Sequence, residues 1–384
     1  MRLLLTIFSI VIFVYFITSD GETPYNYFTR LSESLLKGKL YLSQNPPWLN
    51  ELIPIDRKYY VVYPPMPAIV LMPFVFLFKG IVSQTIFSIA LGSLNVVLVY
   101  ILLKRVNQST KTSLMVTLFF AFGTNHWYLS SVGSAWFFAH ITALFFLLIA
   151  LIETFGKGRL LVIGFLLGAS FWARTTEVFT LPFFYIFFWK KFWPINKKNF
   201  YNFFSLNIGI IFFILLDAIY NFLRFGNFSV LAPYFLIPHI ENDPMFKDGF
   251  MNINFIARHI DAVLFRLPKL INKFPFLIPS LYSTALWFTS PALFYIFKAR
   301  KDLLYIACWA AIVTTLGIVF LWAGVGYAQF GYRFIQDVMP FLLLLMVKGI
   351  GQKLSKLAYF LILVSIIINA WGTILINKFD IFFI

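Results

Sequence analysis

The first acidic side chain of this sequence follows directly after its first apolar run. The run from Leu3 to Thr18 ends in Ser19-Asp20-Gly21-Glu22. A helix of about 16 residues is roughly 24 Å long, slightly short for the ~30 Å core of a bilayer. We therefore expect the Asp20 carboxylate near the headgroup plane, where it either accepts a proton from a reacting hydroxyl or is a solvated acid at a helix junction. Glu22 is either a second carboxylate of the same site or loop surface.

A second polar segment, Ala173-Arg174-Thr175-Thr176-Glu177, interrupts two apolar runs. Burying an arginine near the membrane centre costs about 3 kcal/mol on insertion scales, so such a residue usually has a partner. Arg174 either holds a phosphate through paired hydrogen bonds or forms an ion pair with Glu177 or Asp217. Asp217 itself lies within an apolar run, where a structural hydrogen bond to a neighbouring helix explains it better than catalysis does.

The third segment, residues 324–340, reads GVGYAQFGYRFIQDVMP. Its glycines allow close backbone approach, and Gln329, Tyr332 and Arg333 could bind a sugar or a phosphate. Asp337 lies about one helical turn after Arg333, and an internal pair of these two residues would explain both. Tyr332 alone carries little weight, because aromatic residues are common at membrane interfaces.

Other catalytic and metal-binding patterns are not apparent. His126 and His140 fall in or beside apolar runs at a spacing unlike known metal motifs, so we interpret both as structural. No P-loop, GxSxG, HExxH or dinucleotide fingerprint occurs. Cys308 is the only cysteine, which excludes an internal disulfide.

The composition predicts a polytopic membrane protein. Of 384 residues, 60% are hydrophobic, 21% aromatic and only 12% charged, whereas a soluble domain has about 25% charged residues. The net charge of +16 could indicate nucleic-acid binding. However, the basic residues cluster in short segments between apolar runs, which is the positive-inside pattern of cytoplasmic loops. We therefore predict no nucleic-acid partner.

The apolar runs predict an all-α fold of about 11 transmembrane helices, with the N-terminus cytoplasmic and the C-terminus outside. The predicted spans are 3–18, 84–103, 113–131, 135–153, 159–173, 177–190, 200–223, 281–297, 302–324, 337–348 and 357–377. The Pro-rich segment Met66–Phe78 is not counted, because one more crossing would move every later basic cluster to the outside. It is predicted to be a juxtamembrane or re-entrant helix.

Two long outer loops, 19–83 and 224–280, complete a single transmembrane domain over residues 1–384. An interfacial helix is predicted from Pro24 to Lys37, where Thr23 would be the N-cap and Pro24 the first helical residue. Its apolar positions fall on one face, and Arg30 and Glu33 fall on another. A basic amphipathic stretch from Phe255 to Lys273 predicts a second interfacial helix.

Together these features resemble the GT-C class of polyprenyl-phosphate-dependent glycosyltransferases, which includes protein O-mannosyltransferases and lipid A aminoarabinose transferases. The matching pieces are Asp20 after the first span, the stretch Tyr25 to Leu42, and Tyr63-Pro64-Pro65-Met66-Pro67-Ala68. Arg174 and the arginine of Tyr332-Arg333-Phe334 fall where the family has basic residues. The chain departs from the pattern in having Asp20-Gly21-Glu22 in place of an adjacent acidic pair. The tryptophan-rich signature of oligosaccharyltransferases is also absent, which speaks against protein N-glycosylation.

The resemblance implies a cell-envelope enzyme of glycan biosynthesis, with its active site outside a plasma (inner) membrane. It would move a sugar, with inversion, from a polyprenyl-phosphate donor to a glycan, lipid or protein acceptor. Asp20 would be the general base, Arg174 and Arg333 would bind the donor phosphate, and Tyr63, Gln329, Tyr332 and Asp337 are substrate-binding candidates. No cofactor is required, although a divalent metal at Asp20 and Glu22 is compatible with the sequence.

Two rival classes remain open from the sequence. A multi-span transporter or lipid flippase would also carry charges in its spans, but no inverted repeat is apparent, and the acids crowd one face instead of the midplane. In a non-catalytic scaffold or receptor, Asp20, Arg174 and Arg333 would be structural ion pairs.

Overall fold

The chain folds into a mostly helical protein, seen in a computed structural model that describes residues 1–79, 82–238, 240 and 243–383. The α-helices of the described part are α1 (Arg2–Thr18), α2 (Tyr27–Leu36), α3 (Met66–Phe78), α4 (Gln84–Arg105), α5 (Thr110–Phe122), α6 (His126–Val132), α7 (Ala135–Thr154), α8 (Leu160–Ala173), α9 (Leu181–Phe187), α10 (Trp189–Phe192), α11 (Lys197–Phe225), α12 (Ile256–Ile260), α13 (Leu286–Thr289), α14 (Leu303–Val319), α15 (Met339–Ile350) and α16 (Lys356–Phe379). Short 3₁₀ turns and one π-helical turn, Asp261–Phe265, lie between them.

Four of the described helices, α4, α7, α11 and α16, are long and apolar enough to cross a membrane. Five shorter apolar helices, α1, α3, α5, α8 and α14, accompany them. This is the helical membrane architecture that the composition predicts. The set of about eleven crossings and their orientation stays a prediction.

Three predicted spans differ from the helices found. Residues 113–131 form two helices, α5 and α6, because Gly123, Thr124 and Asn125 interrupt them. Residues 177–190 start as a 3₁₀ turn, Thr175–Thr180, and continue into the short helices α9 and α10. Residues 281–297 contain only α13 and the 3₁₀ helix Pro291–Lys298, which starts at a proline that has no N–H to continue α13.

Two short β-hairpins accompany the helices of this mostly helical protein, and the sequence did not predict either hairpin. Strand β1 (Leu52–Ile55) pairs antiparallel with β2 (Lys58–Val61), with Leu52 opposite Val61. Asp56 and Arg57 join them with positive φ angles of 49° and 60°, as a two-residue hairpin turn requires. A second hairpin joins β3 (Lys269–Leu270) and β4 (Leu277–Ile278).

Both predicted interfacial helices are shorter than predicted. The first, α2, starts at Tyr27 with Asn26 as its N-cap, so Thr23 and Pro24 lie outside it. Its apolar face is buried through Phe28 and Leu31, as the sequence predicts. The second ends at Phe265, because Pro268 and the second hairpin follow in place of a helix running to Lys273. By contrast, α3 has the predicted bounds Met66–Phe78.

Helices α8 and α11 pack closely against each other through glycines. A Cβ atom added at Gly209 would lie 2.5 Å from the carbonyl carbon of Gly164, and one at Gly168 would lie 2.6 Å from the carbonyl oxygen of Gly209. Small residues that let helix backbones touch are typical of membrane helix pairs. This contact holds α11, whose other side is largely exposed, against the rest of the bundle.

Candidate functional site

Asp20 lies at a sharp exit from α1, and its carboxylate is exposed. The helix ends at Thr18, and its C-cap residue Ser19 has an extended backbone (φ −72°, ψ 147°). Gly21 follows with a φ of +104°, a conformation that favours glycine. No side-chain hydrogen bond ties the Asp20 carboxylate to another described residue. We call residues Thr18–Glu22 the lip.

An open groove of about 1300 Å³ runs beside the lip. Its walls are formed by large, exposed apolar side chains, among them Phe16 (59% exposed), Phe78 (60%) and Ile86 (57%). Its polar lining consists of residues from the lip, α2, the start of α4 and the end of α16: Ser19, Asp20, Glu22, Asn26, Thr29, Arg30, Glu33, Ser83, Thr85 and Lys378. The groove therefore has an apolar part that suits an acyl or prenyl chain and a charged part that contains Asp20.

Glu22 lines the same groove, but its carboxylate is engaged by the start of α4. It accepts hydrogen bonds from the Ser83 hydroxyl and from the Gln84 backbone N–H, the latter at 3.2 Å. An acid at this position is stabilised by the positive end of the helix dipole, and Glu22 is therefore a structural cap as well as a groove residue. No three His, Cys, Asp or Glu side chains of the described segments are grouped to hold an ion, and a divalent metal at Asp20 and Glu22 stays a prediction.

Arg174 and Asp337 are brought together, although they are 163 residues apart. Arg174 Nη2 donates to Asp337 Oδ2 at 2.8 Å, and Nε donates to Oδ1 at 3.0 Å. His140 Nδ1 lies 2.7 Å from Oδ1, and the Thr176 hydroxyl donates to Oδ2 at 2.9 Å. These four side chains form a polar cluster, termed the Asp337 cluster below, that joins α7, the end of α8 and the 3₁₀ turn Arg333–Val338. Of the predicted alternatives for Arg174, the structure provides an ion pair, but with Asp337 in place of Glu177 or Asp217.

Arg333 is not paired with Asp337, which differs from the internal pair considered above. Its Nε is buried without a hydrogen-bond partner among the described residues, and its guanidinium lies over the rings of Phe334 and Phe137 at 5.0 and 5.9 Å. The carboxyl group of Glu51 is near enough to interact with this charge. Burial raises the pKa of Glu51 to about 7, even though a hydrogen bond from Trp136 (3.1 Å) and the positive charge of Arg333 both act to lower it.

The three remaining substrate-binding candidates are buried in aromatic or backbone contacts. Gln329 donates to the backbone oxygens of Tyr282 and Val325. The Tyr332 hydroxyl lies 2.6 Å from His259 Nδ1. Tyr63 packs edge-on against Tyr27, with ring centroids 5.5 Å apart, and its buried hydroxyl has no partner among the described atoms.

Two other polar residues interpreted as structural make hydrogen bonds within the protein, although the partner of Asp217 lies on its own helix and not on a neighbouring one as predicted. Asp217 accepts a hydrogen bond from Asn221 at 3.1 Å on the same helix. His126 Nε2 lies 3.0 Å from the backbone oxygen of Gly92, and its ring stacks on Phe120.

The predicted site residues therefore fall into separate places. Asp20 and Glu22 line the groove, whereas Arg174, Arg333 and Asp337 do not. The cations that do line it are Arg30 and Lys378, which were not among the predicted site residues. The polar face predicted for the first interfacial helix contains Arg30, but the sequence gives no signal that the end of α16 meets the end of α1.

Comparison with known proteins provides no relative from which a role could be transferred. No protein-family model, no curated protein and no solved structure matches this chain.

Proposed function

We propose that this protein is a membrane glycosyltransferase of the GT-C kind, which moves a sugar from a polyprenyl-phosphate donor to an acceptor hydroxyl. In this proposal the chain crosses the plasma membrane about eleven times, and Asp20 lies at the extracytoplasmic face. The acceptor is a glycan, a lipid or a protein.

The groove beside Asp20 is the observation that supports the proposal most. It combines a lipid-compatible apolar wall with an exposed carboxylate that has no side-chain hydrogen bond to any residue that the structure describes. A prenyl chain lying against Phe16, Phe78 and Ile86 would leave the sugar and phosphate at the charged part of the groove. A soluble substrate would not need such a wall.

Asp20 is the general base in the proposed reaction. The acceptor hydroxyl oxygen attacks the anomeric carbon as its proton passes to the Asp20 carboxylate. The bond between the anomeric carbon and the phosphate oxygen breaks, the polyprenyl phosphate departs with the electron pair, and the configuration inverts. A carboxylate is a weak base toward an alcohol, but it is effective when the proton moves late, in the transition state.

The departing phosphate needs positive charge, which Arg30 and Lys378 can supply because they line the groove with Asp20. We assign them the phosphate-binding role that the resemblance gave to Arg174 and Arg333. The Arg174 guanidinium is occupied by Asp337, and neither arginine lines the groove. Electrostatic stabilisation of this kind is strongest where water is excluded.

The test compares purified wild type, Asp20→Asn and Asp56→Asn with a panel of radiolabelled polyprenyl-phosphate sugars and a membrane extract. Asp56 is an exposed carboxylate in the β1–β2 turn, away from the groove, so Asp56→Asn is a matched control. We expect transfer by wild type and by Asp56→Asn, and a loss of about 100-fold or more in folded Asp20→Asn.

Two results would count against the proposal. If folded Asp20→Asn keeps wild-type turnover, Asp20 is not the base. If wild type consumes no donor of the panel but moves the labelled lipid between the leaflets of a vesicle, the protein is a lipid transporter.

A further inference from the structure

The lip that carries Asp20 is held by residues that lie far away in the sequence. Asn377 Nδ2, near the end of α16, donates to the backbone oxygen of Thr18 at 3.1 Å and to the Ser131 hydroxyl at 3.1 Å. Lys378 Nζ donates to the backbone oxygen of Ser19. These bonds reach both residues that immediately precede Asp20.

Helix α6 completes this anchor. The Ser19 hydroxyl donates to the backbone oxygen of Ser131 at 2.6 Å, and Trp127 Nε1 donates to the Thr18 hydroxyl at 2.9 Å. Ser131 thus receives one bond from the lip and one from Asn377. The three elements α1, α6 and α16 meet at this point.

Asn377 and its bonds are shielded from solvent, unlike Asp20. Asn377 is only 5% exposed, Thr18 7% and Ser19 6%. A buried carboxamide that donates two hydrogen bonds fixes its partners more firmly than a surface contact would, because breaking either bond leaves a buried carbonyl or hydroxyl unsatisfied. Within the described part of the chain the Asp20 side chain makes no hydrogen bond, so its location depends on these neighbours.

We infer that Asn377 is a positioning residue for Asp20, and that the end of α16 keeps the lip in the geometry the groove requires. Asn377 does not line the groove, so it acts through the backbone oxygen of Thr18 and through Ser131, which in turn accepts from the Ser19 hydroxyl. Since the effect on turnover rests on the proposed function, the main readout below is independent of turnover.

The chain offers a matched control on the same helix. Asn369 is also buried (1% exposed), and its Nδ2 also donates two hydrogen bonds, to the backbone oxygens of Thr289 at 2.7 Å and Ser365 at 2.9 Å. Neither partner belongs to the lip. Asn377→Leu and Asn369→Leu therefore each remove from α16 a buried carboxamide that donates two hydrogen bonds. Only Asn377→Leu removes a hydrogen bond to the lip.

The experiment places a nitroxide spin label on Asp20→Cys and compares the label's mobility in three backgrounds: unchanged, Asn377→Leu and Asn369→Leu. Cys308 is fully buried, so the introduced thiol is the accessible one. We expect the mobile fraction of the label to rise at least twofold with Asn377→Leu and to stay unchanged with Asn369→Leu. Equal mobility in all three backgrounds, or an equal rise with both leucines, overturns the inference.

A milder variant covers the case in which Asn377→Leu does not fold. Ser131→Ala removes only the hydroxyl that accepts from Asn377 and keeps the backbone oxygen that accepts from Ser19. It should raise the mobile fraction in the same direction but less, and an unchanged label in this variant also overturns the inference.

A turnover measurement distinguishes a failure of this inference from a failure of the proposed function. With Asp20 intact, Asn377→Leu should lower kcat about 10- to 100-fold while the donor KM stays within about twofold, since a displacement near 1 Å is enough for such a loss. Asn369→Leu should keep kcat. If wild type shows no transfer at all, the proposed function fails while the mobility result still decides whether Asn377 positions the lip.

Discussion

The Asp337 cluster provides the sharpest test of how this fold is held together, because the Asp337 carboxylate is the hydrogen-bond partner of three side chains, those of Arg174, His140 and Thr176. Asp337→Asn keeps the size of the side chain, removes its charge and replaces one acceptor oxygen with an NH₂ group. That NH₂ group is itself a hydrogen-bond donor, and it would face donor groups of Arg174 and of either His140 or Thr176.

The expected loss of stability follows from burial. The Asp337 side chain is 1% exposed and that of Arg174 is 16% exposed, so solvent screens this pair only slightly. Removing one partner of a buried ion pair costs about 3–5 kcal/mol, because the other charge is left uncompensated. We expect Asp337→Asn to lower the free energy of unfolding by about that amount.

The measurement is the unfolding free energy of detergent-solubilised protein in a denaturant titration, followed by tryptophan fluorescence. The matched control is the Lys348–Asp302 pair, which has a short N–O distance of 2.5 Å but an Asp302 side chain that is 41% exposed. Asp302→Asn should cost at most about 1 kcal/mol, as exposed pairs do. If Asp337→Asn costs no more than Asp302→Asn, the explanation from burial is wrong.

A double variant shows whether Arg174 has a role beyond this pair. Arg174→Met with Asp337→Leu removes both charges, so it should cost less than the sum of the single changes. If Arg174 is structural, this double variant keeps donor turnover. A folded double variant without turnover would return Arg174 to the phosphate-binding role that the resemblance implied.

Two further predictions concern packing and pH. Gly209→Ala should destabilise the protein by about 1–3 kcal/mol, because its Cβ would lie 2.5 Å from the backbone of Gly164. Gly317→Ala is the control in thermal unfolding, since no described atom lies within 4 Å of the Cβ it would add. This alanine should stabilise helix α14 by about 0.5–1 kcal/mol. Equal effects of the two alanines would disprove the close-packing argument. Burial raises the pKa of Glu51 from 4.5 to about 7, so the folded state binds more protons than the unfolded state between these values. This contribution to stability is fully present below pH 4.5 and is lost as the pH rises to about 7, by about 3 kcal/mol in total. Glu51→Gln should abolish this dependence in a pH series of unfolding measurements, and an unchanged series would show that another group causes it.

Local features of the fold were predictable because they depend on neighbouring residues. Helix α3 starts at Met66 after two prolines, and its bounds agree with the prediction. Helix α2 buries the apolar face that its spacing indicates. The helix predicted from Phe255 to Lys273 was wrong in its second half, because Pro268 and a two-stranded hairpin follow Phe265. A hydrophobic pattern cannot distinguish a short interfacial helix from a loop of the same composition.

The candidate site was predictable only in part, because its contacts join distant residues. Asp20 was recognisable from its position after the first apolar run. Lys378, which donates a hydrogen bond to Ser19, the residue before Asp20, lies at the opposite end of the sequence. Arg174 forms an ion pair with Asp337, which is 163 residues away in the sequence. Charge and spacing indicate that a buried arginine needs a partner, but only the packing of α7, α8 and the 3₁₀ turn Arg333–Val338 decides which partner it has.

The bond between Asn377 and Thr18 has a consequence for biosynthesis. The two residues are 359 positions apart, and a ribosome adding about 5–20 residues per second makes the second roughly 20–70 s after the first. The end of α1 therefore lacks its bond to Asn377 until α16 has been made. A nascent chain stopped before Asn377 would contain Asp20 but not the bond between Asn377 and Thr18, so the bonded form of the lip would be completed only late in synthesis.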